Sequence, residues 1–244
     1  MDGVVNSNYH ALSAKVQQRF ANGFTLLSAY TWSKSIDDAS GIRSSSGEQS
    51  IAAYDWNLRP ERGLSQFHTA HRFATSVIYE LPRFRQAEPI LRHAAGGWQV
   101  SSIVTLAAGN PTRVGVIGDT NNIGGEGNYP DATGVSPYLN AGSAGFFWNP
   151  AAFDIRNPEL NFRFGNTARS GLIGPGYVNW DFSLLKNFAL GSERRTLQIR
   201  WETFNLPNHP NWNFPSTDVR NVAFGRVLSA RDMRQMQFGM KLLF

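Results

Sequence analysis

The sequence predicts an all-β fold: an antiparallel transmembrane β-barrel segment of about seven strands with long extracellular loops. Three observations predict it. Segments of about ten residues alternate apolar and polar side chains at period two, as a strand with one greasy and one wet face does. The connections between these segments alternate short and long, as when a barrel closes with turns at one rim and carries loops at the other. No stretch approaches the run of about 18 apolar residues that a membrane helix needs, whereas alternating strands keep mean hydropathy low.

The chain opens with Tyr9 to Phe20, where Leu12, Ala14 and Val16 oppose Ser13, Lys15, Gln17 and Arg19. Ala21-Asn22-Gly23 follows, and Asn-Gly is a strong hairpin signal because both residues tolerate positive φ. Phe24 to Ser33 returns with Phe24, Leu26, Tyr30 and Trp32 on one face, softened by Ser28 and Leu27. Ser35 to Ala70 lacks any period and reads as a long loop. Phe73, Thr75, Val77, Tyr79 and Leu81 then alternate with Arg72, Ala74, Ser76, Ile78 and Glu80, until Pro82 removes a ladder donor.

Past Gly96-Gly97, Trp98, Val100, Ser102, Val104 and Leu106 alternate with Gln99, Ser101, Ile103 and Thr105. Gly109 to Gly176, dense in Gly, Asn and Pro, is the largest irregular region. Val178, Trp180, Phe182 and Leu184 oppose Asn179, Asp181 and Ser183. A turn near Gly191-Ser192 leads to Leu197, Ile199, Trp201 and Thr203 against Gln198, Arg200 and Glu202. A third loop, from Asn205 to about Arg234, holds Phe224-Gly225-Arg226-Val227, read as an extension of the last strand or a short hairpin. In that last strand Met236, Phe238, Met240, Leu242 and Phe244 share one face, and the chain closes on an aromatic.

Strands of about 10 to 12 residues, tilted near 45°, span roughly 25 Å, the height of an apolar membrane band. Tyr30, Trp32 and Phe73 cluster at the loop ends of the strands, and Phe24, Tyr79, Trp98 and Phe244 at the turn ends, where interfacial girdles belong. The apolar faces carry no charge except Lys186, positioned to snorkel to the inner interface. A soluble β-sandwich accounts for any one of these features but not for all of them together.

Composition fits the same class. Aromatics make up 13% of the 244 residues, charged residues only 17%, and cysteine is absent. The formal net charge of +5 is spread along the chain, with no basic run longer than Arg194-Arg195, so a nucleic-acid partner is not expected. The N-terminal segment shows neither the basic nor the apolar region of a signal peptide.

Several segments carry a resemblance. Tyr30-Thr31-Trp32-Ser33-Lys34-Ser35-Ile36-Asp37-Asp38, His71-Arg72-Phe73 through Tyr79-Glu80-Leu81-Pro82, and Gly97-Trp98-Gln99-Val100 are similar to the barrel of TonB-dependent outer-membrane receptors. They resemble in particular the Oar-like branch, which carries an N-terminal carboxypeptidase-regulatory-like domain. Phe164-Gly165-Asn166-Thr167, Gly174-Pro175-Gly176-Tyr177-Val178-Asn179-Trp180-Asp181, and Phe204-Asn205-Leu206 with Asn208-His209-Pro210 extend the likeness over nearly the whole chain.

The resemblance implies a 22-stranded, plugged barrel that imports a bulky ligand with energy delivered through a TonB box. Plug, TonB box and signal peptide are not found in this sequence. The expectation is therefore a partial barrel domain over residues 1–244, the C-terminal third of a receptor, inactive in transport by itself. The resemblance also casts Met236, Phe238, Met240, Leu242 and Phe244 as the signal read by the outer-membrane assembly machinery. Lys15, Arg19, Arg72, Glu80, Asp181, Arg200 and Glu202 are expected on the lumen face, lining a substrate path or gripping a plug. Expected partners are outer-membrane lipid and an unidentified extracellular ligand, with the plug and the TonB complex engaged only through the missing part. The alternative is a small surface β-protein acting as an adhesin or carbohydrate-binding module.

No catalytic constellation or cofactor site is expected. His68 and His71 lie at a loop-to-strand junction without an HExxH frame. Asp119-Thr120-Asn121-Asn122, with Gly124 and Glu126, faintly resembles a calcium loop, but Ile123 and Pro130 stand where ligand oxygens are wanted. The glycines Gly171, Gly174 and Gly176 lack the preceding strand and following helix of a dinucleotide site, and no G-x-S-x-G elbow exists.

Overall fold

A computed structural model describes residues 5–20, 22–40, 57–82, 88–116, 118, 128–139, 145–190 and 195–244. The suggested calcium loop and the Gly191-Ser192 turn lie outside the described residues. The strands in chain order are β1 (Ser7–Arg19), β2 (Phe24–Asp37), β3 (Gly63–Leu64), β4 (His71–Glu80), β5 (Trp98–Ala107), β6 (Pro111–Thr112), β7 (Asp131–Ala132), β8 (Phe153–Asp154), β9 (Leu172–Ile173), β10 (Tyr177–Ala189), β11 (Thr196–Phe204) and β12 (Gln235–Leu243).

The seven long strands form one antiparallel sheet in the order β1-β2-β4-β5-β10-β11-β12, each beside its neighbour along the chain, and β3 adds to the far end of β2. β1 and β12 are the two edges, so the sheet is not closed on itself. The order follows from the connections. Residues 20–23, 81–97 and 190–195 join strands at one end, and the long segments 38–70, 108–176 and 205–234 join them at the other. At the first hairpin Phe20 N–H donates to Phe24 O at 2.9 Å, and Gly23 takes φ +83°, where a side chain would meet Glu80 O at 2.8 Å. Only Gly23 of the Asn-Gly pair is left-handed.

The register fixes the faces. Leu12 opposes Trp32, Tyr30 opposes Phe73, Phe73 opposes Leu106, Leu106 opposes Val178, Phe182 opposes Thr203 and Trp201 opposes Phe238. These residues share one continuous apolar face, because directly opposed residues in an antiparallel pair project to the same side.

Four expectations change. β2 runs on to Asp37 and β10 to Ala189, both beyond the alternating segments read from the sequence. A short helix, α1 (Pro89–Ala95), occupies the connection between β4 and β5, where only a loop was expected. Phe224-Gly225-Arg226-Val227 forms no strand: Phe224 and Arg226 make single bridges to Ser216 and Phe146. Lys186 does not snorkel; it is only 4% exposed, and its ammonium donates to main-chain oxygens of His93 (2.7 Å), Ala94 (3.1 Å) and Gly96.

The long loops are also more ordered than their composition implied. Val114, Trp148, Leu172 and Phe224 pack into a buried cluster, joined by Phe147, Phe153 and Val219. β6 pairs with β9, β7 with β8, and Gly115 bridges to Asp218, so the described parts of the second and third long loops are stitched into one cap. At one seam Gly109 passes so close to Gly174 that a side chain at 109 would overlap its carbonyl.

Candidate functional site

The register places Lys15, Arg19, Arg72, Glu80, Asp181, Arg200 and Glu202 on one face of the sheet, opposite Met236, Phe238, Met240 and Leu242. They do not converge on one cluster. Arg200 lies 3.9 Å from Glu202, which accepts from Gln237 Nε2 at 2.6 Å. Asp181 Oδ1 accepts the Asn205 N–H at 3.0 Å. Among the described residues, Lys15, Arg19, Arg72 and Glu80 enter no ion pair. Phe244 follows β12 and is 96% exposed.

The loop end of the charged face is where polar groups converge. Ser33, Ser35 and Asp37 continue the period-two row of β2 and are all buried, so the cap lies over that face. Ser35 Oγ meets Ser65 Oγ at 2.8 Å, and Ser33 Oγ donates to Thr69 O. Arg169, from the second long loop, inserts its guanidinium here. It donates to Asp37 Oδ1 at 2.5 Å, Ser40 Oγ at 2.6 Å, Glu61 O at 2.9 Å and Asp37 O at 3.2 Å. Both Arg169 and Asp37 side chains are 3% exposed. Arg62 pairs with Asp38 at 3.1 Å beside them, and Tyr129 donates to buried Glu61 at 2.7 Å. Burial, reinforced by the Glu61 charge, raises the Tyr129 pKa, so this phenol stays a donor.

Little in the local sequence marks this cluster. Asp37 lies within a resembling segment and Arg169 in an irregular loop; Ser33, Ser35 and Asp37 at alternating positions are the one usable sign of a covered strand end. The two histidines have separate roles. His68 is buried, with Nδ1 accepting the Ser35 N–H at 3.3 Å, and burial followed by the Lys34 charge lowers its pKa. His71 Nδ1 meets Tyr30 Oη at 2.8 Å, and the two rings stack.

Two asparagines explain other resembling segments. Asn205 turns the chain after β11 at φ +53°, and its side chain clasps His209 through both N–H and C=O. Asn211 uses its amide to pair both main-chain groups of Val178, where β10 extends past the end of β11.

A cleft of about 530 Å³ opens where the three long loops meet. Gln66 comes from the first, Asn110 and Thr112 from the second, and Phe214, Thr217, Asp218 and Asn221 from the third. Asn110 knots the seam, donating to His68 O and Thr69 Oγ1 and accepting from Gly174 N–H. The lining offers amides, hydroxyls, one carboxylate and one half-exposed ring, a set suited to a polar, hydroxyl-bearing ligand. Among the described residues, no group of three or more His, Asp or Glu is placed to hold a metal ion.

A one-sided antiparallel sheet with every long connection gathered at one end is the architecture of an outer-membrane β-barrel wall. The chain belongs to the outer membrane beta barrel domain family, whose model matches residues 2–237. No curated protein matches it. Family membership locates the protein in the outer membrane of a Gram-negative cell.

Proposed function

We propose that the chain supplies part of the wall and the extracellular mouth of a TonB-dependent receptor, taking part in uptake of a bulky ligand by binding and passage, without bond chemistry. The observation that carries this reading is the loop cap, folded over the charged face with a polar cleft at the junction of three loops. Such a mouth is preorganised, which lowers the ordering cost of capturing a ligand. The apolar face then meets lipid, and Lys15, Arg19, Arg72, Glu80, Asp181, Arg200 and Glu202 face the lumen. The open edges at β1 and β12 have main-chain groups that hydrocarbon cannot satisfy. The wall is therefore completed by further strands, as it would be if this segment were one part of a 22-stranded barrel. Plug and TonB contacts belong to that remainder, and the segment alone does not transport.

The test compares cells deleted for this gene with cells lacking TonB, grown on limiting oligosaccharides, peptides or iron chelates. Shared loss of growth on the same nutrient supports the proposal; normal growth of the gene deletion on every nutrient that needs TonB overturns it. The cleft also favours a second reading, a carbohydrate-binding surface protein, because its lining is mostly neutral amides and hydroxyls beside Phe214. That reading predicts loss of glycan binding by intact cells in Phe214→Ala, with TonB-dependent growth unchanged. We further propose that the row ending at Phe244 is read by the assembly machinery. Deleting Phe244 is expected to lower the heat-modifiable barrel on gels, and undiminished assembly counts against the role.

A further inference from the structure

Two charges stand in the register of the apolar face, Lys34 at the loop end of β2 and Lys186 at the turn end of β10; Lys186 is flanked along β10 by Leu184 and Phe188 and opposed across the ladder by Trp98 and Ile199. A lysine there is expected to reach for headgroups. Instead its ammonium turns onto the end of α1. It donates to the carbonyls of His93, Ala94 and Gly96, and sits 4.9 Å from the Trp98 ring centre and 5.3 Å from that of Phe188. Trp98 Nε1 donates to Ala94 O at 2.8 Å from the same face. Two side chains of the lipid-facing row thus hold the carbonyl end of one short helix.

We infer that α1 lies outside the barrel wall in the headgroup layer of the periplasmic leaflet, with Lys186 and Trp98 as its pins and phospholipid as the occupant of its outer surface. Continuity with the apolar face argues for lipid: both pins project from that face, so the pinned end of the helix is on the lipid side and not beneath the lumen. The electrostatics agree. The last carbonyls of a helix lack internal partners and carry partial negative charge, and at a membrane interface a buried ammonium satisfies both needs. Ile90, one helical turn before Ala94, is 86% exposed, and a lipid boundary gives this side chain an apolar contact that the protein does not. The inference rests on the apolar face being the lipid face.

The chain has no cysteine, so a spin label can be placed at one position in protein held in native outer-membrane vesicles. Labels at Ile90→Cys and, separately, Met240→Cys are compared for collision with oxygen, which partitions into lipid, and with a water-soluble nickel chelate. Both labels are expected to favour oxygen. A lipid-accessible label at 240 with a chelate-accessible label at 90 overturns the inference alone, whereas chelate access at both overturns the face assignment beneath it. Adding Lys186→Met to Ile90→Cys is expected to shift the label towards the chelate and raise its mobility while heat-modifiability stays normal; an unmoved label refutes the pin. If Lys186→Met fails to assemble, Trp98→Phe removes only the second pin and is expected to give a smaller shift in the same direction, no shift again refuting it.

Discussion

Along the seven long strands Leu185 is the one apolar residue that is buried, whereas the loop cap buries Val114, Val116, Tyr129, Trp148, Ala152, Leu160, Leu172 and Phe224 among the described residues. The region with the most regular sequence thus has almost no core, and the region with the least regular sequence has nearly all of it. The solvents account for the difference. An outer-membrane strand turns its apolar side chains to lipid and is held by a main-chain ladder that hydrocarbon makes obligatory. The loops stand in water, where irregular backbone is held only by packing and by side-chain hydrogen bonds. The two regions should therefore respond oppositely to the same kind of mutation.

The largest effect is expected at Arg169. Removing one partner of a buried, hydrogen-bonded ion pair costs about 3–5 kcal/mol because the other charge is left uncompensated. Arg169→Met should unlock the cap, seen as fast hydrogen exchange in residues 57–70, 128–139 and 145–176, while amides of β4, β5 and β10 stay protected. Loss of protection in the sheet as well would mean that cap and sheet are one cooperative unit.

Next comes Val77, in the middle of the apolar face between Leu26 and Ser102. Val77→Arg should cost about 2–4 kcal/mol at the bilayer midplane and lower assembly into vesicles. Ser76→Arg, one residue away on the charged face, should assemble normally. Equal defects would break the assignment of faces.

How much of this was legible follows from the same contrast. Period two is a local property, so the seven strands, their faces and the alternation of turns and loops could be read without tertiary knowledge. The sequence hides the end of β2 beyond Ser33 because Lys34, Ser35 and Asp37 are polar, and the end of β10 because Lys186 interrupts an apolar row. α1 is too short to show helical periodicity, and its carbonyl end is held by Lys186, about ninety positions away, together with Trp98. The cap depends on contacts such as Arg169 with Asp37, separated by 132 positions and marked by no local pattern. Asn205 and its neighbours stood out only as a resembling segment; the left-handed turn and the clasp on His209 supply the chemistry.

That turn gives a smaller, graded prediction. Asn205→Ala keeps a β-carbon at φ +53° without the polar side chain that makes this region tolerable, and deletes both bonds to His209, a loss of about 2 kcal/mol. Asn205→Gly loses the same bonds but has no β-carbon to strain at that angle, so it should be milder. Urea titration of the vesicle-folded protein can rank the two. If Gly is as damaging as Ala, the clasp matters and the backbone angle does not.

The smallest effects are those of pH, and they separate two parts of the cap. Asp131 receives both Nη1 and Nη2 of Arg163, at 2.9 and 2.8 Å, and this pairing holds its carboxyl below the ordinary 3.8 despite partial burial. A carboxyl with a depressed folded pKa stabilises fully above its unfolded value, and that contribution is lost as pH falls through the folded value. His68 is also depressed, from 6.5, by burial and then by Lys34, so the unfolded loop takes up its proton first and stability declines below 6.5. On acidification, protection should weaken first in residues 63–70, and around 131–166 only below about pH 4, after correction for the intrinsic pH dependence of exchange. Asp131→Asn should remove the lower step and leave the upper one. The ladder of β4, β5 and β10 should show neither step; if it shows both, the cap is transmitting its protonation into the wall.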